Sequence, residues 1–171
     1  MTQIKFIENT QLKQKPTDES KLGFGKLFTD YMFTYRYSKE KGWHDPQIEP
    51  YAPFALAPST SALHYGQAIF EGMKAYKDAD GNTRLFRPKD NFARMNRSAA
   101  RLCMEPIPED VAYEGLLKLL EVEEKWIPRS EGTSLYIRPT YIATEEALGV
   151  HAAHNYLFYI ILSPSGAYYT E

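Results

Sequence analysis

Three segments carry side chains whose types and spacing could do chemistry. In SLYIRPT (134–140), the alternation of a β-strand places Tyr136, Arg138 and Thr140 on one face and Leu135 and Ile137 on the other. A guanidinium beside a phenol is placed to receive a carboxylate through a two-pronged hydrogen bond. A half-exposed strand whose arginine pairs with a neighbouring acid shows the same pattern, and spacing leaves both readings open. In the stretch 88–102, Arg94, Arg97 and Arg101 stand three and four residues apart, along one side of a helix. Such a row grips a phosphate in some proteins and is a solvated face in others. In ALHYGQAIFEGMKAY (62–76), Tyr65 and Phe70 lie near Gly66 and Gly72, and glycine permits close backbone approach or unusual dihedrals. That stretch suits either a pocket wall or a tight turn feeding a hairpin.

Other chemistries find less support. His151 and His154 in HAAH have a ligand-like interval, yet no acidic third ligand completes a known zinc pattern, so they read as two loop histidines. The single cysteine, Cys103, excludes an internal disulfide and a multi-cysteine metal knot, and beside Leu102 it reads as core. The GFG at 23–25 is not a phosphate-binding glycine loop, and no serine-nucleophile elbow occurs. A net charge of −2 without a dense Lys/Arg tract gives no nucleic-acid or anionic-membrane surface.

The elements that must position these residues follow from pattern. Residues 8–21 are polar and aperiodic and read as an exposed lead-in. The aromatic run KLFTDYMFTYRY (26–37) predicts a strand. Prolines at 46, 50, 53 and 58 predict an irregular path with short extended pieces over 42–60. MKAYKDADGNTRLF predicts a hairpin turning at 78–82. A helix starts near Pro88 with a buried stripe of Phe92, Met95, Ala99 and Leu102. A second helix follows Pro108, with Ala112, Tyr113, Leu116, Leu117, Leu119 and Leu120 on its stripe. Strands over 134–144 and 155–165 close the domain. The second is nearly all apolar and is expected at the centre of the sheet. The order of elements predicts an α+β domain, and 171 residues suit one core. The start lacks the apolar core of a signal peptide, and the run Tyr156–Leu162 is far short of the ~20 residues that span a bilayer. A cytoplasmic location is the resulting expectation.

Five strings, FGKLFTDYMFTY (24–35), SALHYGQAIFEGMKAY (61–76), RLFRPKDNFARMNRSA (84–99), SLYIRPTYIATE (134–145) and ALGV (147–150), resemble branched-chain aminotransferases in order and spacing. These are fold-type-IV enzymes that use pyridoxal 5'-phosphate. The resemblance runs from about Gly23 to the C-terminus. It implies the small N-terminal domain, a mixed or antiparallel sheet with two main helices, over 23–165. Residues 1–22 would precede it, and 166–171 would begin the connection to a C-terminal domain. Arg94 then matches the cofactor-phosphate arginine. Tyr65 matches a pocket tyrosine near the substrate carboxylate, and Phe24 and Phe70 match apolar walls around the aliphatic chain. Tyr136 and Arg138 match the pair in the region where one pocket accepts either a branched side chain or the distal carboxylate of glutamate or 2-oxoglutarate. Val150 matches a residue on a loop reaching the neighbouring subunit's pocket, which implies a homodimer. The Schiff-base lysine and the acid that pairs with the pyridine nitrogen lie further on in such enzymes, so no catalytic residue is assigned here. The implied activity, amino transfer from leucine, isoleucine or valine to 2-oxoglutarate, needs the second half. A non-catalytic homodimeric binding module, or another fold-type-IV enzyme such as a D-amino-acid aminotransferase, is the alternative. SALHY…FEGMKA and LYIRPT fit that second enzyme less well.

Overall fold

A computed structural model describes residues 3–166. Eight strands form one sheet: β1 (Lys5–Phe6), β2 (Tyr31–Ser38), β3 (Gly42–Pro50), β4 (Ala68–Phe70), β5 (Met73–Lys77), β6 (Thr83–Leu85), β7 (Ser134–Ala143) and β8 (Asn155–Ser165). Three α-helices accompany them: α1 (Ser61–Tyr65), α2 (Pro88–Arg101) and α3 (Glu109–Val122). The strand order is β1-β3-β2-β8-β7-β5-β6, with β4 also on β7, and every pair except β1–β3 is antiparallel. The nearly all-apolar β8 sits centrally, as its composition predicts, and β7 runs beside it for ten residues from Ser134↔Ser165 to Ala143↔Tyr156.

Helices α2 and α3 cover one face of this sheet. Phe92, Met95 and Ala99 from α2 and Ala112, Leu116 and Leu119 from α3 join Phe33, Leu135, Ile137, Phe158 and Ile160 in a single core. Packing is close enough that a methyl group on Gly115 of α3 would collide with the Phe33 ring. The other face carries Tyr136, Arg138 and Thr140, half-buried at alternate positions, while Leu135, Ile137 and Pro139 between them are buried. Alternation therefore holds from Leu135 to the end of β7.

Several expectations need correction. The strand predicted over 26–37 begins only at Tyr31, because the carbonyls of Phe28 and Thr29 accept from the Lys13 ammonium (3.0 and 2.8 Å). The predicted irregular path contains a regular nine-residue strand, β3, in spite of Pro46 and Pro50. Pro46 is tolerated because the ladder to β2 bulges there: Thr34 pairs with Gln47 and Arg36 with His44, so two residues oppose Tyr35 and a missing N–H breaks no bond. Pro50 ends the strand, and 51–59 are irregular as expected. Leu102 caps α2 instead of extending its buried stripe, Leu117 is exposed and Tyr113 is half-buried. Cys103 is exposed, not core, since a left-handed backbone (φ 53°) turns the chain outward after the helix. The segment 8–21 is largely exposed, yet it is tied down by Asn9 and Lys13 bonds to Asp30. No helix among the described residues is long and apolar enough to cross a membrane.

Candidate functional site

The site is built where β7 loses its neighbour. Strands β4 and β5 pair with the same edge of β7, one after the other, through Phe70↔Thr140 and Met73↔Ile137. Between them the Glu71 N–H donates to the Pro139 carbonyl (3.0 Å) and Gly72 passes over Tyr136. A side chain at Gly72 would collide with the Tyr136 hydroxyl, so glycine is needed here for close approach.

Arg138 lies among rings. Its guanidinium carbon is 4.4 Å from the Phe70 ring centroid and 5.2 Å from that of Tyr136, and Nη2 donates to the Tyr136 hydroxyl (2.8 Å). Phe24 packs edge-on against Tyr136 at 5.0 Å. Among the described residues no carboxylate is ion-paired with Arg138, so the pairing that the spacing left open is not what the fold makes. Its Nε is buried without a hydrogen-bond partner, and the same holds for the Ser163 hydroxyl. Ser163 is the cross-strand neighbour of Tyr136. Arg138 and Ser163 both line a hollow of about 340 Å³, together with Phe24, Phe28 and Ile161. A buried polar atom without a partner costs about 1–3 kcal/mol, and two such atoms belong to side chains in the wall of this one hollow.

Arg94 occupies an adjoining hollow of about 580 Å³, which Tyr136 also borders. On α2 it projects over the β4–β5 break and makes a two-pronged ion pair with Glu71: Nε to Oε1 and Nη2 to Oε2, each 2.6 Å. Asn91 donates to the same carboxylate (3.0 Å). Glu71 is 6% exposed while Arg94 is 59% exposed, so a buried acid fixes a guanidinium whose other edge faces solvent. Burial alone would raise the Glu71 carboxyl, but the hydrogen bonds from Arg94 and Asn91 and the Arg94 charge outweigh it and hold it below the usual carboxylate range. Arg97 borders this hollow as well.

The fold thus gathers Phe24, Phe70, Tyr136 and Arg138 into one cluster and places Arg94 next to it across Tyr136. Tyr65, on α1, and Val150, on the loop before β8 and 87% exposed, border neither hollow. Sequence reasoning missed Glu71 and Ser163. Each had a signal: an acid inside the apolar run AIFEGM and a hydroxyl at the end of an apolar strand are residues that need a reason to be buried.

No family model matches the chain. It is 55% identical over 159 residues to branched-chain-amino-acid transaminase 1 of Bacillus subtilis (strain 168), covering 93% of this chain and 44% of that protein. It is also 55% identical over 166 residues to a probable branched-chain-amino-acid aminotransferase of Staphylococcus aureus (strain N315), covering 97% of this chain and 46% of the relative. Among solved structures, a T.th. branched-chain amino acid aminotransferase complexed with N-(5'-phosphopyridoxyl)-L-glutamate superposes with a TM-score of 0.61 at 26% identity, over 88% of this chain and 42% of that one. The enzyme of Thermoproteus uzoniensis with norvaline gives 0.63 at 20% identity, over 80% and 41%, a likeness of fold. The chain therefore spans less than half the length of the relatives it matches. Its homologues are branched-chain aminotransferases, and its α+β architecture matches the small domain of their fold.

Proposed function

We propose that this chain, whose homologues are branched-chain aminotransferases, is the substrate-pocket half of such an enzyme, transferring the amino group of leucine, isoleucine or valine to 2-oxoglutarate. The observation that carries this reading is the Arg138 cluster. Phe24 and Tyr136 on the wall of the hollow, with Phe70 against the Arg138 guanidinium, offer an aliphatic side chain apolar surface, and that guanidinium, in no ion pair among the described residues, offers a carboxylate its positive charge. A pocket that alternates between an oily chain and an anion needs both. Burying the anion without its partner would cost several kcal/mol.

Pyridoxal phosphate fits the adjoining hollow through Arg94. The Glu71 clamp occupies Nε and Nη2 and leaves the outer edge of the guanidinium to a phosphate oxygen. When bound, the cofactor supplies the electron sink for amino transfer. The chain's own residues anchor its phosphate and sort the substrate side chain. In this reading the cofactor-bearing lysine belongs to the C-terminal half. Lys74, which borders the Arg94 hollow, stays a neighbour of the phosphate. Tyr65 and Val150 take up their roles once that half and a second subunit close over the cluster, and the dimer operates in the cytoplasm.

The test compares this chain, the C-terminal half of a homologous enzyme and the two joined. Turnover of leucine with 2-oxoglutarate is expected only for the joined protein. Borohydride reduction of this chain with pyridoxal phosphate is expected to leave its lysines without stoichiometric label. Turnover by this chain alone, stoichiometric labelling of Lys74, or preference of the joined protein for D-amino acids overturns the reading.

A further inference from the structure

The HAAH interval lacked a third ligand in the sequence, and the fold supplies one. Glu145, six residues before His151, closes the base of the loop that carries both histidines, and one ligand atom from each of the three lies within 4.8 Å of the others. Glu145 is fixed on both sides. Its carbonyl accepts from the Ser61 N–H (2.8 Å), the Thr144 N–H next to it donates to the Asn155 carbonyl across the β7–β8 ladder (2.9 Å), and its Oε2 accepts from the His154 N–H (2.6 Å). Its Oε1 lies 3.5 Å from His154 Nδ1, and His151 Nδ1 is 4.0 Å from Oε2. His154 is held in turn by the Lys39 N–H on its carbonyl (2.9 Å), and the Ala152 carbonyl orients the His151 ring through Nδ1 (2.9 Å). The two rings are 5.7 Å apart and 32° from parallel. Among the described residues no lysine or arginine forms an ion pair with Glu145, whose charged neighbours within ion-pair distance are the two imidazoles.

We propose that Glu145, His151 and His154 form a binding site for a zinc-type divalent transition-metal ion, distinct from the Arg138 and Arg94 hollows. Two imidazoles and one carboxylate are a ligand set zinc takes, and its bonds of about 2.0–2.2 Å place tetrahedral ligands roughly 3.3 Å apart. The Glu145–His154 spacing is already near this value. His151, whose Nδ1 donates to the Ala152 carbonyl, would ligate through Nε2, and the remaining gap closes by adjustment of histidine side chains that are about half exposed. Imidazole donors disfavour magnesium and calcium, which take oxygen ligands. With three protein ligands and an exposed cluster, water fills the fourth position. The bound ion staples residue 145 to residues 151 and 154 and so pins the loop that presents Val150. The proposal does not rest on the aminotransferase reading.

Zinc titration of the 171-residue chain against a chromophoric chelator tests it. One equivalent is expected to bind at micromolar concentration or tighter. His151→Ala, His154→Ala and Glu145→Gln should each weaken binding at least roughly tenfold, whereas His44→Ala should leave it unchanged. Glu145→Gln removes the charge but keeps an oxygen for the His154 N–H, which separates loss of a ligand from loss of the loop. Cobalt(II) in place of zinc is expected to give the visible absorption of a four-coordinate ion, lost in His154→Ala. Absence of saturable binding, or binding that survives all three substitutions, overturns the proposal.

Discussion

Arg94 and Arg138 lie on either side of Tyr136, and they are held by opposite means. Arg94 is more than half exposed, yet its guanidinium is fixed by two 2.6 Å bonds to a buried carboxylate. Arg138 is more deeply set, touches aromatic faces and one phenol, and has a buried Nε without a partner. A clamped guanidinium is oriented in advance, which suits an anion that stays. A guanidinium resting on rings gives up little on meeting a carboxylate and leaves an apolar surface when the carboxylate departs. The difference lies in the company each arginine keeps.

The largest expected effect separates the two by substrate. In a protein joining this chain to a C-terminal half, Arg138→Met should lower kcat/KM for 2-oxoglutarate by about 10³-fold, while the leucine half-reaction changes by less than roughly tenfold. Single-turnover kinetics read both, and equal losses would break the contrast.

A second measurement asks what the clamp does for a buried acid. Glu123 at the end of α3 is 2% exposed and is served by donors such as the Tyr31 N–H, with no ion pair among the described residues. Burial pushes its carboxyl up to about 7. Because this folded-state value lies above the unfolded 4.5, the folded state binds the extra proton, and stability falls as pH rises from 4.5 to about 7. The loss is on the order of 3 kcal/mol. Urea midpoints across that range should decline for the wild type and flatten in Glu123→Gln. Glu71 runs the other way: its lowered carboxyl contributes stability that is present above the usual range and is lost as pH falls through the folded value.

Removing the clamp itself should be milder for the fold and sharper for the anion. Arg94→Met is expected to raise the Glu71 carboxyl and to weaken pyridoxal-phosphate affinity of the joined protein by roughly tenfold or more. Carbon-13 NMR of the Glu71 carboxyl and a spectral titration check the two parts. An unchanged carboxyl would mean that Asn91 and the backbone suffice. Smallest of all, Gly72→Ala forces Tyr136 aside at the shared wall and should cost about 1 kcal/mol of stability, measured by urea melts. It should also weaken both the carboxylate and the phosphate contacts. A loss confined to one of them would show that the hollows do not communicate through Tyr136.

How much of this was legible beforehand differs between elements for physical reasons. Strands β7 and β8 and helices α2 and α3 follow from patterns that local periodicity imposes, and the face shared by Tyr136 and Arg138 follows from alternation alone. Strand β3 was hidden by Pro46 because tolerance of a missing N–H depends on a bulge in a partner strand. Cys103 was misjudged because one left-handed residue, not the apolar neighbour Leu102, decides where the chain turns.

By itself the sequence determined the α+β order of elements, the kinship carried by its motifs and the strand face that Tyr136 and Arg138 share. Only the tertiary structure decided which arginine is clamped, that Ser163 and Arg138 line one hollow, and that Glu145 meets His151 and His154. These depend on contacts between residues far apart in the chain or across a loop, where a strand break, a register and a turn set distances that spacing along the chain does not encode.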